Sequence, residues 1–427
     1  MEKIRWTGAL AAAAAVLLVS CSTPAPEPSG PTVTEHWSVL PAEERLPAVG
    51  SRWYPQPVGE VIPSPDYGAL VPYIGAVYYL PSGLPGEPVS DTCPSYLYGL
   101  MTLEGQTVLD PVCTEIRSIH YTDAQGQDAF LPVWQLTKGD PEDPRSNHGE
   151  LVALAAQDGS WSTPFQYWGA TGSPLGVFAG NGEGLSLLDS STGAQTGFWP
   201  WEDLGIGQPE QFPWFTGDVY STAQWTEEGF YLGTWGDDWT ALLLDPASGA
   251  VTALPDLEWA ERLSRKLEER DSTWWDASTG EDGSITLTRD GQSYTFPSPL
   301  PEDPFPYVQE DRVIFQDYAG GRFAVTTLEG RTILPAQSGQ LEVLDLGESL
   351  RLAVCPAGES DWTLYTWKGE PGPTLPGGPE SSCGTSGPFA EVRSADGAAY
   401  YRPASGICVR RTWFTLEDRT AGLPDDP

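Results

Sequence analysis

The chain has 427 residues and a formal net charge of −37 at pH 7, with 59 Asp and Glu against 22 Lys and Arg. A field of this sign repels phosphate backbones and anionic lipid head groups, so we expect no nucleic-acid partner. The chain also contains 47 Gly and 41 Pro, and turn-forming residues at this density favour short strands over long helices.

The N-terminus is typical of a secretory signal. Lys3 and Arg5 precede an apolar run over 6–20 that is too short to span a membrane comfortably as a helix, so we expect residues 1–20 to be cleaved. The run ends in Leu18-Val19-Ser20-Cys21, which resembles a bacterial lipobox. The resemblance implies that Cys21 becomes a lipidated N-terminus, anchored on the extracytoplasmic face of the cell membrane.

A spacer follows the proposed anchor. Residues 21–35 contain four prolines and almost no large apolar side chain, so they favour an extended linker. We predict that residues 36–427 form the folded domain. Without residues 1–20, which have a net charge of +1, the mature chain has a net charge of −38, which is consistent with solubility outside the cell or with attraction of cationic partners.

Five cysteines remain after Cys21, and disulfides form readily in exported proteins. Cys93 and Cys113 bracket the turn at Glu104-Gly105, so we predict a disulfide between them. Cys383 could pair with Cys355 across the turn at Lys368-Gly369 or with Cys408 across the turn at Asp396-Gly397, and the sequence does not choose between these pairings. A thiol metal site is disfavoured because the chain has no C-x-x-C pair.

A repeated hairpin dominates the rest of the chain. An apolar run, a turn with Gly and a second apolar run recur, and the second run often ends in Pro. Gly supplies the positive φ of a tight turn, and Pro ends strand pairing because it has no N–H. The turns are Glu104-Gly105, Asp158-Gly159, Thr192-Gly193, Ser248-Gly249, Asp290-Gly291, Glu329-Gly330, Lys368-Gly369 and Asp396-Gly397.

These spacings are close to the roughly 40–50 residues of a four-stranded propeller blade. A ring of such sheets also removes exposed strand edges. We therefore predict an all-β fold, a β-propeller of about seven or eight four-stranded blades.

Two family resemblances agree with this fold. The turns Asp189-Ser190-Ser191-Thr192-Gly193 and Asp245-Pro246-Ala247-Ser248-Gly249 resemble the D-x-x-T/S-G hairpin of quinoprotein-type β-propellers. Residues 98–111 resemble a bacterial WG repeat, in which an aromatic-Gly pair leads into a strand, a turn and a second strand ending in Pro; residues 321–335 resemble it less closely. The resemblances imply a fold but no cofactor, because the quinone-binding residues of the enzymes cannot be mapped onto this sequence.

One segment departs from the β pattern. Trp259, Leu263 and Leu267 within residues 256–271 lie at i, i+4 and i+8, which predicts an amphipathic helix inserted between two blades, with Asp256 as its N-cap. The apolar stripe is expected to cover the propeller, with partner binding as the alternative.

Motifs for common chemistries are missing from the sequence. Histidine occurs only at His36, His120 and His148, and there is no H-E-x-x-H, G-x-S-x-G or phosphate-loop motif. Residues 276–283 place oxygen ligands at alternate positions, but Gly280 breaks the calcium-loop pattern, so we expect a solvated turn. We predict no metal site and no cofactor.

The 18 tryptophans are the unusual feature, and many lie beside acids. Indole rings stack on sugars and carboxylates accept hydrogen bonds from hydroxyl groups, whereas propellers also bury Trp between blades. The best candidates for a ligand site are Trp235, Asp237, Asp238, Trp239, Trp274 and Trp275. We therefore expect a lipid-anchored binding or scaffolding module for a glycan or an envelope protein. The alternative is an extracytoplasmic polysaccharide hydrolase with a carboxylate pair.

Overall fold

The computed structural model describes residues 61–64, 66–81, 92–123, 127–138, 151–205, 223–226, 228–233, 241–254, 275–300, 306–317, 321–347, 349–378, 380–394 and 397–413. Within these ranges the chain is all-β and every strand pairing is antiparallel. No helix in the described ranges has the length and apolar character needed to cross a membrane. The predicted signal, Cys21, the linker and the helix at 256–271 lie outside the described residues.

The first half of the chain forms four sheets of consecutive strands, which we number in chain order. Their strands are β1 (Leu70–Pro81), β2 (Thr92–Thr102) and β3 (Thr107–Cys113) in sheet 1; β4 (Glu115–Thr122), β5 (Asp128–Lys138) and β6 (Leu151–Ala156) in sheet 2; β7 (Gly169–Ser173), β8 (Gly176–Gly180), β9 (Gly184–Leu188) and β10 (Gln195–Pro200) in sheet 3; and β11 (Ala223–Thr226), β12 (Gly229–Gly233), β13 (Ala241–Asp245) and β14 (Ala250–Leu254) in sheet 4. In sheet 2, isolated bridges from β6 to Ser162 and Tyr167 continue the sheet beyond its third strand.

The second half repeats this plan. Sheet 5 contains β15 (Asp276–Thr279), β16 (Ser284–Arg289) and β17 (Gln292–Pro297); sheet 6 contains β18 (Tyr307–Gln309), β19 (Arg312–Asp317), β20 (Arg322–Thr327) and the first half of β21 (Thr332–Asp345); sheet 7 contains the second half of β21 with β22 (Leu350–Pro356), β23 (Trp362–Thr366) and β24 (Pro371–Leu375); and sheet 8 contains β25 (Ser382–Ser386), β26 (Phe389–Ser394), β27 (Gly397–Tyr401) and β28 (Cys408–Trp413). Strand β21 joins sheets 6 and 7 because it pairs with β20 up to Ser338 and with β22 from Gly339.

The second strands of sheets 3 and 4 are apolar on both faces, since every residue of β8 and β12 is buried. Sheet 3 packs against sheet 2 on one face and sheet 4 on the other, so both faces of β8 are covered. Buried clusters fill the space between sheets 1 and 2, 2 and 3, 3 and 4, 5 and 6, 6 and 7, and 7 and 8. The core is therefore a series of layers between consecutive sheets.

The last sheet also packs on the first. Val71, Tyr73 and Ile74 of sheet 1 share a buried cluster with Phe389 and Tyr400 of sheet 8. The backbone N–H of Ile74 donates to the Tyr400 hydroxyl at 2.6 Å, and the Ser386 hydroxyl donates to the Pro72 carbonyl. We call this contact between sheets 1 and 8 the closing junction.

The predicted Gly turns lie between strands, as the sequence indicated. The Gly turn connects the last two described strands in sheets 1, 3, 4, 5, 6 and 7, while Gly397 begins β27 and the equivalent turn of sheet 8 contains Gly406. In the turn of sheet 3, Asp189 Oδ1 accepts from the N–H groups of Ser191 and Thr192, and Gly193 has a φ of +68°. The carboxylate thus satisfies the turn backbone, as the D-x-x-T/S-G pattern predicted.

Turn glycines also lie against the preceding sheet. A Cβ on Gly330 of sheet 6 would lie 2.5 Å from the Phe296 Cβ in sheet 5, and one on Gly369 of sheet 7 would lie 2.7 Å from the Ile333 carbonyl oxygen in sheet 6. Gly105 of sheet 1 follows the same rule with sheet 8 as its predecessor, since its Cβ would lie 2.3 Å from the Val409 carbonyl oxygen. The closing junction therefore repeats the geometry between consecutive sheets.

Candidate functional site

Five of the six ligand-site residues proposed from the sequence lie outside the described residues: Trp235, Asp237, Asp238, Trp239 and Trp274. Trp275 is half-buried, packs against the cluster between sheets 5 and 6, and has its ring centroid 5.6 Å from that of Tyr294. The adjacent Asp276 is exposed at the start of β15. Trp275 therefore packs against the core and also leaves part of its side chain exposed to solvent.

Within residues 276–283, Asp276–Thr279 form β15 and residues 280–283 form the exposed turn that leads into β16. Asp282 Oδ1 accepts hydrogen bonds from the N–H and the hydroxyl of Ser284, at 3.0 and 2.7 Å. These bonds, of which the one from the Ser284 hydroxyl is the strongest influence, lower the pKa of Asp282. The carboxylate is therefore occupied by the turn, and no cluster of metal-ligating side chains occurs among the residues that the structure describes.

The predicted disulfide between Cys93 and Cys113 is absent. Cys113 is a free, buried thiol. In the sheet register Cys93 pairs with Leu80, whereas Cys113 pairs with Tyr98. These positions are five residues apart along β2, roughly 17 Å at the rise of a strand, which is beyond the reach of a disulfide. Symmetry about the turn was misleading because β-bulges shift the register between β2 and β3.

Cys355, Cys383 and Cys408 also form no disulfide, and all three are buried in the cluster between sheets 7 and 8. Burial raises the pKa of Cys383, and the nearby carboxylates of Glu342 and Glu391 raise it further. Burial also raises the pKa of Cys408, to about 11. These thiols are therefore protonated and poorly reactive at neutral pH.

Glu342 is an unusual carboxyl group, exposed on the second half of β21 in sheet 7. It lies on β21 opposite Ala353, so its side chain is on the face of sheet 7 that packs toward sheet 8. The side chain reaches water, yet surrounding protein desolvates it and raises its pKa to about 7. A carboxyl group that exchanges its proton near neutral pH has the property required of a general acid.

The closing junction contains an ion pair between the buried Glu391 and the half-buried Arg393. Arg393 donates from Nε and Nη2 to Glu391 Oε1 at 2.9 and 2.6 Å, and its guanidinium lies 4.9 Å from the Tyr96 ring centroid. Burial alone would lower the pKa of the Arg393 guanidinium, but the charge and hydrogen bonds of Glu391, together with the nearby Tyr98 and Tyr400, raise it. Because Glu391 Oε1 accepts both hydrogen bonds from Arg393, this carboxylate is better suited to holding the sheets in position than to transferring a proton.

A second cation joins the same two sheets. The Arg410 guanidinium donates from Nη1 to the Gly105 carbonyl and the Thr107 hydroxyl, both at 2.9 Å, and lies 3.7 Å from the Tyr73 ring centroid. Its side chain is 2% exposed. A bulge between the residues opposite Tyr400 and Tyr401 turns Arg410 toward sheet 1, whereas Cys408 faces sheet 7. Sequence patterns gave no sign of this bulge.

Comparison with known proteins gives no family for the chain. No family model matches it, and no curated protein matches it significantly. Among solved structures, the dihydro-heme d1 dehydrogenase NirN aligns over 87% of this chain and 78% of its own, with 11% identity and a TM-score of 0.33. Hsv2 from Kluyveromyces lactis aligns over 61% and 77%, with 8% identity and a TM-score of 0.20. A prolyl endopeptidase aligns over 80% and 50%, with 14% identity and a TM-score of 0.27. At these values the similarity assigns no activity to this chain.

Proposed function

We propose that the chain is a lipid-anchored, extracytoplasmic binding or scaffolding module built on a closed β-propeller of eight blades. The observation that carries the ring is the closing junction, where sheet 8 precedes sheet 1 with the same turn-to-strand contact that consecutive sheets make. Cys21 would carry the lipid anchor, and residues 21–35 would hold the ring away from the membrane. The fold would supply rigidity while loops and turns on one face would bind a glycan or an envelope protein.

A rigid ring suits binding because it presents loops at fixed separations, which reduces the entropy lost when loops become ordered on association. The aromatic and acidic loop with Trp235, Asp237, Asp238 and Trp239, together with Trp274 and Trp275, is proposed as one binding element. The acidic chain would select neutral or cationic ligands over anionic polymers. No nucleic-acid partner and no cofactor belong to this proposal.

A thermal-shift screen of the full chain against polysaccharides, peptidoglycan fragments and Ca²⁺ tests the proposal. A ligand that binds the folded state raises the melting temperature in a concentration-dependent way. A shift with a glycan that disappears in Trp235→Ala and Trp239→Ala would support the aromatic loop. If no glycan shifts the melting temperature, the proposal requires a protein ligand, and that protein should co-purify from membranes only with the anchored chain. If there is neither a glycan-dependent shift nor a co-purifying protein, the binding function is refuted.

A polysaccharide hydrolase is the second candidate, and Glu342 is the observation that favours it. Its pKa of about 7 would allow proton donation to a leaving group at neutral pH. Release of reducing ends from a polysaccharide, abolished in Glu342→Gln without loss of folding, would establish this activity. If the purified chain releases none from any substrate that it binds, the hydrolase is excluded.

A further inference from the structure

The hairpin of β4 and β5 projects beyond its own sheet. Strands β4 and β5 pair out to Thr122 and Asp128, whereas β6 pairs only with Val133–Lys138 of β5. Pro132, which has no N–H, lies at the point where pairing with β6 stops. Residues 118–123 and 127–132 therefore form a two-stranded ribbon that extends past the third strand of sheet 2.

The ribbon is held in place on one face. Ile119 and Val133 are buried between sheets 2 and 3, with Leu131 packed against the same cluster. A Cβ on Gly172 of sheet 3 would lie 2.6 Å from the His120 carbonyl oxygen, so the two sheets are in close backbone contact here. At the tip, the N–H of Gln127 donates to Asp123 Oδ1 at 2.8 Å. The ribbon is thus a fixed element rather than a loose loop.

Its opposite face displays an aromatic ring. Phe130 is 66% exposed, and its ring centroid lies 5.4 Å from that of the exposed His120 directly across the strands. The register shifts between Ser118 and His120, so a bulge bends the ribbon just below this pair. Bulges of this kind frequently re-aim side chains beside functional sites.

Polar groups surround the ring on the same face. Because side chains alternate along a strand and directly opposed residues share a face, Thr122 and Asp128 lie beside His120 and Phe130. Imidazole, hydroxyl and carboxylate groups around one exposed ring match the layout of a sugar subsite, in which the ring stacks and the polar groups bind hydroxyls. A protein hot spot, in contrast, is surrounded by a broader contact surface that excludes water.

The negative charge of the hairpin and of the whole chain disfavours anionic sugars as ligands. Residues 118–132 contain Asp123 and Asp128 and no Lys or Arg, in a chain with a net charge of −37. Anionic polymers are repelled by such a surface. We propose that the projecting hairpin is a subsite for a neutral oligosaccharide, stacked on Phe130 and hydrogen-bonded by His120 and Asp128. This inference rests on the proposed binding function and names its ligand class.

Isothermal titration of the full chain with cellohexaose, chitohexaose and xylohexaose, and with polygalacturonate as the anionic comparison, tests the subsite. Phe130→Ala should weaken binding of a neutral probe about ten-fold, and Phe130→Trp should retain it. Phe198→Ala is the matched control, because Phe198 is an exposed phenylalanine (39%) on β10 of another sheet. Equal melting temperatures and circular dichroism of all variants would show that the fold is intact.

Several outcomes would overturn the subsite, and they separate it from the broader function. If a neutral probe binds and Phe130→Ala leaves its affinity unchanged, the subsite is wrong while a glycan-binding module stands. If only polygalacturonate binds, or no sugar binds, the neutral-sugar assignment is wrong. A photo-reactive residue at position 130 could also cross-link to an envelope protein. If that cross-link forms and is weakened by His120→Ala, which changes the residue opposite position 130, the hairpin binds a protein partner instead of a sugar.

Discussion

Arg410→Ala should open the closing junction. The guanidinium on β28 reaches the turn between β2 and β3, where it donates two hydrogen bonds and covers the Tyr73 ring. Hydrogen bonds to a charged group each contribute about 1.5–3 kcal/mol, and a desolvated cation over an aromatic ring contributes about 2 kcal/mol. The cost of burying the cation, itself several kcal/mol, offsets part of this sum. We expect a net loss of about 3–4 kcal/mol in the free energy of unfolding.

Arg402 provides a matched control. It also extends from sheet 8 to this turn, donating from Nη2 to the Leu103 carbonyl at 3.3 Å, but its side chain is exposed. Arg402→Ala should therefore cost less than about 0.5 kcal/mol. For a cooperative unit of roughly 350 residues, the Arg410→Ala loss corresponds to a fall of about 5 °C in melting temperature.

Calorimetry and urea unfolding followed by Trp fluorescence measure both variants. A double-mutant cycle of Arg410→Ala with Tyr73→Leu should show a coupling of at least about 1 kcal/mol, because the two side chains are in contact. If Arg410→Ala and Arg402→Ala have the same melting temperature, the contacts of Arg410 do not stabilise the packing of sheet 8 on sheet 1.

Three further predictions concern packing, pH and thiols. Gly99→Ala should lower the free energy of unfolding by about 1–3 kcal/mol in urea titrations, because the added Cβ would lie 2.7 Å from Tyr73 Cε1. Gly384→Ala is the control and should be neutral, because the added Cβ would have nothing within 4 Å. Equal effects of the two substitutions would contradict the packing of Gly99 on Tyr73. Glu342 has a folded-state pKa above its unfolded value, so its ionisation destabilises the fold as pH rises from about 4.5 to about 7; Glu342→Gln should raise the melting temperature more at pH 8 than at pH 5, and an equal rise would show that the carboxyl group is not desolvated. Iodoacetamide at pH 7.5 should modify the four buried thiols, Cys113, Cys355, Cys383 and Cys408, only after unfolding. Peptide mapping that finds the label at any of these four positions in native protein would contradict their burial.

The hairpins were predictable because their signals are local. Gly193 and Gly249 each follow an Asp that accepts hydrogen bonds within its own turn, so a five-residue pattern contains the whole physical cause. The aromatic-Gly pair of the WG-like segment also has a structural reason: Gly99 leaves room for the Tyr73 ring, which packs above it. All-β structure followed from the recurrence of such units.

Features that depend on distant contacts could not be predicted in this way. The Cys93–Cys113 pairing failed because bulges between β2 and β3 change the register. Glu342 became notable only when neighbouring sheets desolvated it, and the sequence contained 58 other acids. Phe130 follows an alternating strand pattern, but its exposure depends on where β6 stops pairing, which no local pattern records.

The proposed closure of the ring is most directly tested by electron–electron double resonance between spin labels at Glu104 and Ser405, in a chain whose native cysteines have been replaced. Both positions are exposed, Glu104 in the turn of sheet 1 and Ser405 in that of sheet 8. Packed sheets lie about 10 Å apart, so a closed ring predicts one narrow distance of roughly 10–20 Å after allowance for the labels. A broad distribution centred beyond three sheet spacings, roughly 30 Å, would show that sheets 1 and 8 do not meet.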